Sequence, residues 1–182
     1  MIIIKPFSPA YQDQVIDLIL TIQRDEFSIP IQLSDQPDLL DIPKFYQQKN
    51  GNFWIAIDRH TPEGTLRECV IGTIALIDIG ASQGTLRKMF VLPEYRGSTQ
   101  GVGKKLLETL INWSQQKGLN SIYLGTTEQF KAAHRFYKKN GFIEIKKNQL
   151  PAQFPIMAVD TKFYCLTLSK PTISLYNMLN GC

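Results

Sequence analysis

The sequence predicts an α/β domain with a mixed sheet. Apolar runs of strand length alternate with stretches whose apolar residues recur at helical spacing, and the order strand, helix, strand, helix in the second half implies local parallel pairing. A third observation is a glycine-rich turn joining one such strand to one such helix at residues 97 to 103. With 182 residues, 43% hydrophobic and 20% charged, the chain is long enough to bury one substantial core without staples. We read residues 1–170 as that domain and 171–182 as a C-terminal tail.

The elements follow in order. Ile2-Ile3-Ile4-Lys5-Pro6-Phe7 is a β-rich run, and Ser8-Pro9 then supplies an N-cap and a first helical residue. Tyr11, Val15, Leu18, Ile19 and Ile22 define one buried face of a first helix. The stretch 27 to 41 is irregular, broken by Pro30 and Pro37, and residues 38 to 49 read as a second helix. Asn50-Gly51-Asn52 turns into a strand at 53 to 57, with further strands at 68 to 79 and 84 to 92. Leu106, Leu107, Leu110 and Ile111 form a helix stripe, Ser121-Ile122-Tyr123-Leu124 a buried strand, and Phe130, Ala133, Phe136 and Tyr137 another stripe. The last strands are 142 to 145 and 163 to 168. The tail carries Ile173, Leu175, Tyr176, Met178 and Leu179, apolar enough to dock on its own domain or on a second copy.

Composition excludes several classes. The net charge of +4 is scattered, so nucleic-acid binding has little support. No stretch reaches the ~18 apolar residues of a membrane helix, and the N-terminus has no signal-peptide pattern. Cys69, Cys165 and Cys182 are odd in number, widely spaced and without metal-ligand pairing, which points to a reducing cytoplasm and to no metal.

The chemistry-bearing stretch is residues 86 to 106. Leu86-Arg87-Lys88-Met89-Phe90-Val91-Leu92 is a strand, and Pro93-Glu94-Tyr95-Arg96 a turn. Then come the loop Gly97-Ser98-Thr99-Gln100-Gly101-Val102-Gly103 and a helix opening with Lys104-Lys105-Leu106. Glycines there turn backbone N–H groups outward, and the helix start adds its dipole and unpaired amides: a cradle for a pyrophosphate. The commonest phosphate loops do not fit. Five residues separate Gly97 from Gly103 where a Walker A loop has four, and Lys105 stands where its hydroxyl belongs. A dinucleotide fingerprint begun at Gly101 would need a third glycine at Leu106.

The run Val91-Leu92-Pro93-Glu94-Tyr95-Arg96-Gly97 followed by Gly101-Val102-Gly103 resembles the pyrophosphate loop of the GNAT superfamily of acyl-CoA-dependent N-acyltransferases. It is two residues longer within Ser98-Thr99-Gln100. A second segment, Ala133-His134-Arg135-Phe136-Tyr137-Lys138-Lys139-Asn140-Gly141-Phe142, resembles the superfamily's A-x-x-x-Y-x-x-x-G-F junction, and the elements between the two agree as well.

The resemblance implies a single domain with a central mixed, mostly antiparallel sheet flanked by about four helices. It implies acetyl-CoA as co-substrate, bound by the backbone of Met89, Phe90 and Val91 between two splayed strands and by Arg96, Gly97, Ser98, Thr99, Gln100, Gly101, Val102, Gly103 and Lys104 at its phosphates. A backbone amide of the first three would polarise the thioester carbonyl. Many members carry Asn seven residues before the tyrosine; this chain has Phe130, so no side-chain amide contact is expected.

The implied reaction is attack of an amine on a thioester in a ternary complex. The leaving thiolate, of thiol pKa about 8.5, is helped by an acid of comparable pKa, and a phenol near 10 qualifies. The resemblance gives that role to Tyr137, which also reads as a core aromatic. The base is not apparent: where some members carry Glu this chain has Thr85, while His134, Glu128, Glu144 and a water chain stay open. Acceptor walls are implied after the first helix and before the last strand. There Asp38 and Asp41 suit a protonated amine, although aspartates near prolines more often serve turns and caps, and Phe154 and Met157 offer apolar contact. The acceptor is a small-molecule or protein amine, and the chain a monomer or homodimer. The rival expectation is a CoA-binding sensor or regulatory protein of the same fold.

Overall fold

In the computed structural model, residues 1–60, 65–97 and 99–169 are described. Strands β1 (Ile2–Pro6), β2 (Asn52–His60), β3 (Arg67–Gly80), β4 (Gln83–Val91), β5 (Ser121–Thr126), β6 (Ile143–Ile145) and β7 (Lys162–Thr167) form one sheet in the order β1-β2-β3-β4-β5-β7-β6. Every neighbouring pair is antiparallel except β4 with β5. The helices are α1 (Gln12–Thr21), α2 (Ile42–Tyr46), α3 (Val102–Gln116) and α4 (Lys131–Lys139). The mixed, mostly antiparallel sheet with four helices is the expected architecture. The parallel expectation holds for β4-α3-β5. After β5 and α4, however, β7 inserts between β5 and β6, so the second crossover joins strands that do not touch.

Two cores lie on opposite faces. One gathers Leu86, Val91, Leu106, Leu110, Ile122, Leu124, Tyr137 and Tyr164 under α3 and α4. The other gathers Val15, Ile19, Leu39, Ile42, Tyr46, Phe53, Ile55 and Ala75 under α1 and α2. The first helix buries Val15, Leu18, Ile19 and Ile22 as its spacing demands. Its start differs: Pro9 opens a 3-10 turn, Pro9–Tyr11, and Ser8 makes no side-chain cap bond. Its end widens into a π-helical turn, Ile22–Glu26.

The second helix is shorter than the sequence suggests. A 3-10 turn, Pro37–Leu39, is followed by a fresh start at Ile42, because Pro43 fits only a first turn and Asp41 caps it, its Oδ1 accepting from the Lys44 N–H at 3.2 Å. Hairpin β3-β4 turns on Ala81 and Ser82, both at positive φ, the geometry of a type I′ turn. The residue-171 to 182 tail lies outside the described residues, as does Ser98.

Candidate active site

The site begins with a defect in a strand. β4 pairs with β5 only through Gln83↔Ser121, Gly84↔Ile122 and Thr85↔Tyr123; beyond that β5 continues against β7 alone and the two strands part. On its other side, β4 slips register against β3 between Thr73 and Ala75, opposite Lys88. Lys88 sits at φ 50, left-handed for a non-glycine residue, and the Thr73 hydroxyl donates to its carbonyl at 2.7 Å. This β-bulge breaks the alternation of side chains. Leu86, Met89 and Val91 join the α3/α4 core, and Phe90 packs on the other. Ala75, opposite Arg87, belongs to the α1/α2 core, and Lys88 reaches residues of the α1-α2 segment. Arg87 and Lys88 therefore project consecutively on the α1/α2 face.

Beyond Val91 the chain makes a 3-10 turn, Pro93–Tyr95, pinned by the Tyr95 hydroxyl donating to Asp58 Oδ2 at 2.9 Å. Arg96 is a strap rather than a free cation: its Nε donates to the Val91 carbonyl at 2.7 Å and its two terminal nitrogens grip the Glu26 carboxylate. Gly97 (φ 89) and Gly101 (φ 61) take conformations that favour glycine, and Gly101 is the cap of α3. The first helical bond runs from Lys105 N–H to the Gly101 carbonyl at 2.9 Å, so the amides of Val102, Gly103 and Lys104 precede the intrahelical ladder. Gly103 lies in the first turn of α3, where a Cβ would make ordinary contacts 3.5 Å from Met89 Cε and 3.7 Å from the Phe136 ring. Lys104 pairs loosely with Glu108 at 3.6 Å in solvent.

Tyr137 comes from α4 into the same region. Its ring, 6% exposed, packs on Phe136, Phe142 and Tyr164 with centroids 5.7, 5.5 and 6.2 Å away. Its hydroxyl has no hydrogen-bond partner among the described residues, and burial pushes its pKa up, so the phenol holds its proton. His134 is tied locally, its Nε2 2.8 Å from the Thr127 carbonyl. Phe130 stacks edge-on against Phe27, centroids 4.5 Å apart, joining the end of α1 to the start of α4.

The α1/α2 face holds a polar network. Lys88 Nζ donates to Gln36 Oε1 at 2.6 Å and ion-pairs with Asp38 at 3.1 Å; Tyr46 donates to the same carboxylate, and Gln36 and Gln23 exchange amide bonds. Burial pushes the Lys88 ammonium down, with Asp38 pulling it back, and burial together with Asp38 holds the Tyr46 phenol well above its ordinary value. Asp38 thus serves the protein's own cation. Asp41 caps α2, and Phe154 is buried against Phe163. Met157 is 43% exposed, and its N–H donates to Asp160 Oδ2 at 3.0 Å. Asp160 stands against β5, where a Cβ on Gly125 would meet its carboxyl carbon at 2.6 Å; burial pushes its pKa up. Thr85 is buried with its hydroxyl unpartnered among the described residues, and Glu144 is held down to about 2 by Lys162 and Lys138. Sequence reasoning passed over Arg87, Lys88, Gln23 and Tyr46. The available signal was a basic pair inside an otherwise apolar strand.

Comparison with known proteins supports the fold. The chain superposes with a TM-score of 0.83 on an acetyltransferase of the GNAT family from Staphylococcus aureus Mu50, at 38% identity, covering 93% of this chain and 100% of that one. An acetyltransferase from Streptococcus agalactiae 2603 matches with a TM-score of 0.81 and 31% identity, over 92% and 98%. The N-acetylaspartate synthetase of Xenopus tropicalis is 32% identical over 107 residues, 58% of this chain and 36% of that protein. Rattus norvegicus N-acetyltransferase 8F1 is 27% identical over 110 residues, 58% and 45%. The chain spans half or less of the length of the curated relatives it matches. The profile of the Acetyltransferase (GNAT) family matches residues 16–142, and by that match the chain belongs to the GNAT acetyltransferase family.

Proposed function

We propose that the protein transfers an acetyl group from acetyl-CoA to a primary amine by direct attack in a ternary complex. The observation that carries this is the bulged β4 parting from β5 and leading, through the Pro93–Tyr95 turn and the glycine loop, to the start of α3. A slot between two strands, open on the β5-facing edge of β4, which has no strand partner beyond Thr85 among the described residues, suits an extended amide-bearing arm; the turned amides of Val102, Gly103 and Lys104 suit a pyrophosphate. A structure of the same fold, the PaiA N-acetyltransferase of Thermoplasma acidophilum, is described in complex with coenzyme A.

In the reaction the amine nitrogen forms a bond to the thioester carbonyl carbon, the C–S bond breaks and the thiolate leaves. An ammonium sheds one proton to become a nucleophile and a second after attack; the sulfur takes one up, from Tyr137 in this reading. Burial keeps Tyr137 protonated, which excludes it as the base, and also makes it a weaker acid than a free phenol, so its place on α4 rather than its acidity supports the donor role. Of the phosphate-side residues, the backbone of Gly101 to Lys104 supports the role best, whereas Arg96 acts by bracing the turn against Glu26. Free Cys69 and Cys165 support a reducing compartment, and among the described residues no helix is long and apolar enough to cross a membrane.

The test is calorimetric titration with acetyl-CoA, CoA, ATP and NAD, followed by CoA release in the presence of amines. Selective binding of both CoA forms with amine-dependent release supports an enzyme. Binding without release under a broad amine panel supports a CoA-responsive regulator, and no CoA binding removes the reading.

A further inference from the structure

We infer that the acceptor is a small amine carrying a neighbouring carboxylate, of the α-amino-acid type, its carboxylate held by Arg87 and its nitrogen by Asp160 at the mouth of the splay. The inference rests on the acetyltransferase reading above and names the substrate class of that site.

Four observations carry it. The bulge at Lys88 puts Arg87 and Lys88 side by side on the α1/α2 face, but the protein treats them differently. Lys88 is neutralised by Asp38 at 3.1 Å. Arg87, half-buried, has no carboxylate within 4.0 Å among the described residues, and its one polar contact there is a long 3.5 Å approach of Nη1 to the Pro155 carbonyl. A guanidinium offers five N–H donors in a planar fork that matches a carboxylate, so most of this fork awaits a partner.

Across the opening stands Asp160. Thr85 and Tyr123 are the last register pair of β4 and β5; Arg87 is two residues beyond the first and Gly125 two beyond the second, each on the α1/α2 face. Gly125 has no side chain, and the Asp160 carboxylate fills that volume, steadied by the Met157 N–H at 3.0 Å. The guanidinium is close enough to act electrostatically on this carboxylate and yet outside ion-pair distance. Two opposite charges that face each other across a gap without closing it are the complement of a zwitterion. An amine without the carboxylate would leave Arg87 unpaired in a half-dry site, the arrangement by which a polar site rejects the analogue lacking its partner group. In the transfer, Asp160 takes the first proton from the ammonium, the nitrogen bonds to the acetyl carbon, the C–S bond breaks as Tyr137 protonates the sulfur, and the nitrogen's second proton passes to the Tyr137 phenolate.

The experiment uses the full chain with saturating acetyl-CoA and matched acceptor series. L-aspartate, L-glutamate, L-leucine and L-phenylalanine are each set beside the α-carboxamide and the decarboxylated amine, and CoA release is followed. At least one free acid is expected to exceed both neutral relatives about tenfold or more in kcat/KM. Arg87→Gln is expected to erase that preference mainly through KM, and Arg87→Lys to restore part of it, with acetyl-CoA affinity and melting temperature unmoved. Asp160→Asn is expected to lower kcat. Neutral amines used as well as the acids, an acid preference that survives Arg87→Gln, or no acid turned over or bound while acetyl-CoA binds normally would each overturn the inference and leave the cofactor reading standing. Loss of acetyl-CoA binding in the wild type would overturn both.

Discussion

The two faces of the splayed sheet are built from different materials. On the α3/α4 face the side chains of Leu86, Met89, Val91 and Tyr137 belong to an apolar core, and the free polar groups are backbone amides at the start of α3. On the α1/α2 face the polar groups are side chains: Gln23, Gln36, Asp38, Tyr46, Lys88, Arg87 and Asp160, drawn from four segments far apart in sequence. In the proposed reading the backbone holds the cofactor and the side chains hold the acceptor, with the bulge bringing two consecutive cations to one face.

Substitutions on the two faces should therefore separate. The largest effect is expected from Tyr137→Phe, which removes a hydroxyl with no hydrogen-bond partner among the described residues. Turnover should fall about 10²-fold or more in a steady-state assay while acetyl-CoA affinity and folding stability stay within about 0.5 kcal/mol. Next is Asp38→Ala, which strands the buried Lys88 ammonium and the Tyr46 hydroxyl. A loss of about 2–3 kcal/mol in urea unfolding is expected, with little change in acetyl-CoA affinity in the protein that remains folded. Lys104→Glu reverses an exposed charge at the start of α3. It should weaken acetyl-CoA about tenfold by calorimetry and leave stability unchanged, since the lost pairing with Glu108 is offset by a carboxylate in the first turn.

The smallest effect is at the β6 edge, where Glu144 bridges Lys138 of α4 and Lys162 of β7. Glu144 titrates near 2 in the folded chain against an ordinary value of 4.5, so its contribution is present above 4.5 and lost as pH falls toward 2. Glu144→Gln should lower the urea midpoint slightly at pH 6 and not at all at pH 2, with activity intact.

The same division explains what the sequence reveals. The glycine loop and the Tyr137 helix sit in contiguous motifs, because a loop that turns its amides outward needs glycine where φ is positive, at Gly97 and Gly101. The sheet was legible for a similar local reason, alternation and apolar runs, though not β7's insertion between β5 and β6, which depends on tertiary packing. The α1/α2 network was not legible. Asp38 and Asp41 lie three residues apart and look equivalent, yet one neutralises Lys88 and the other caps α2, a difference set by Pro43 and by the bulge. Asp160 gains its place only because Gly125, thirty-five residues earlier, leaves room.

The most direct test of the central claim, that one face takes the cofactor and the other the amine, is a crystal structure of the acetyl-CoA complex. The account predicts the pyrophosphate on the amides of Gly101 to Lys104, the pantetheine arm between β4 and β5, and the thioester near Tyr137 with its acetyl group turned toward Arg87 and Asp160. An acetyl-CoA molecule seated elsewhere, or one whose acetyl group points away from the α1/α2 face, would contradict it.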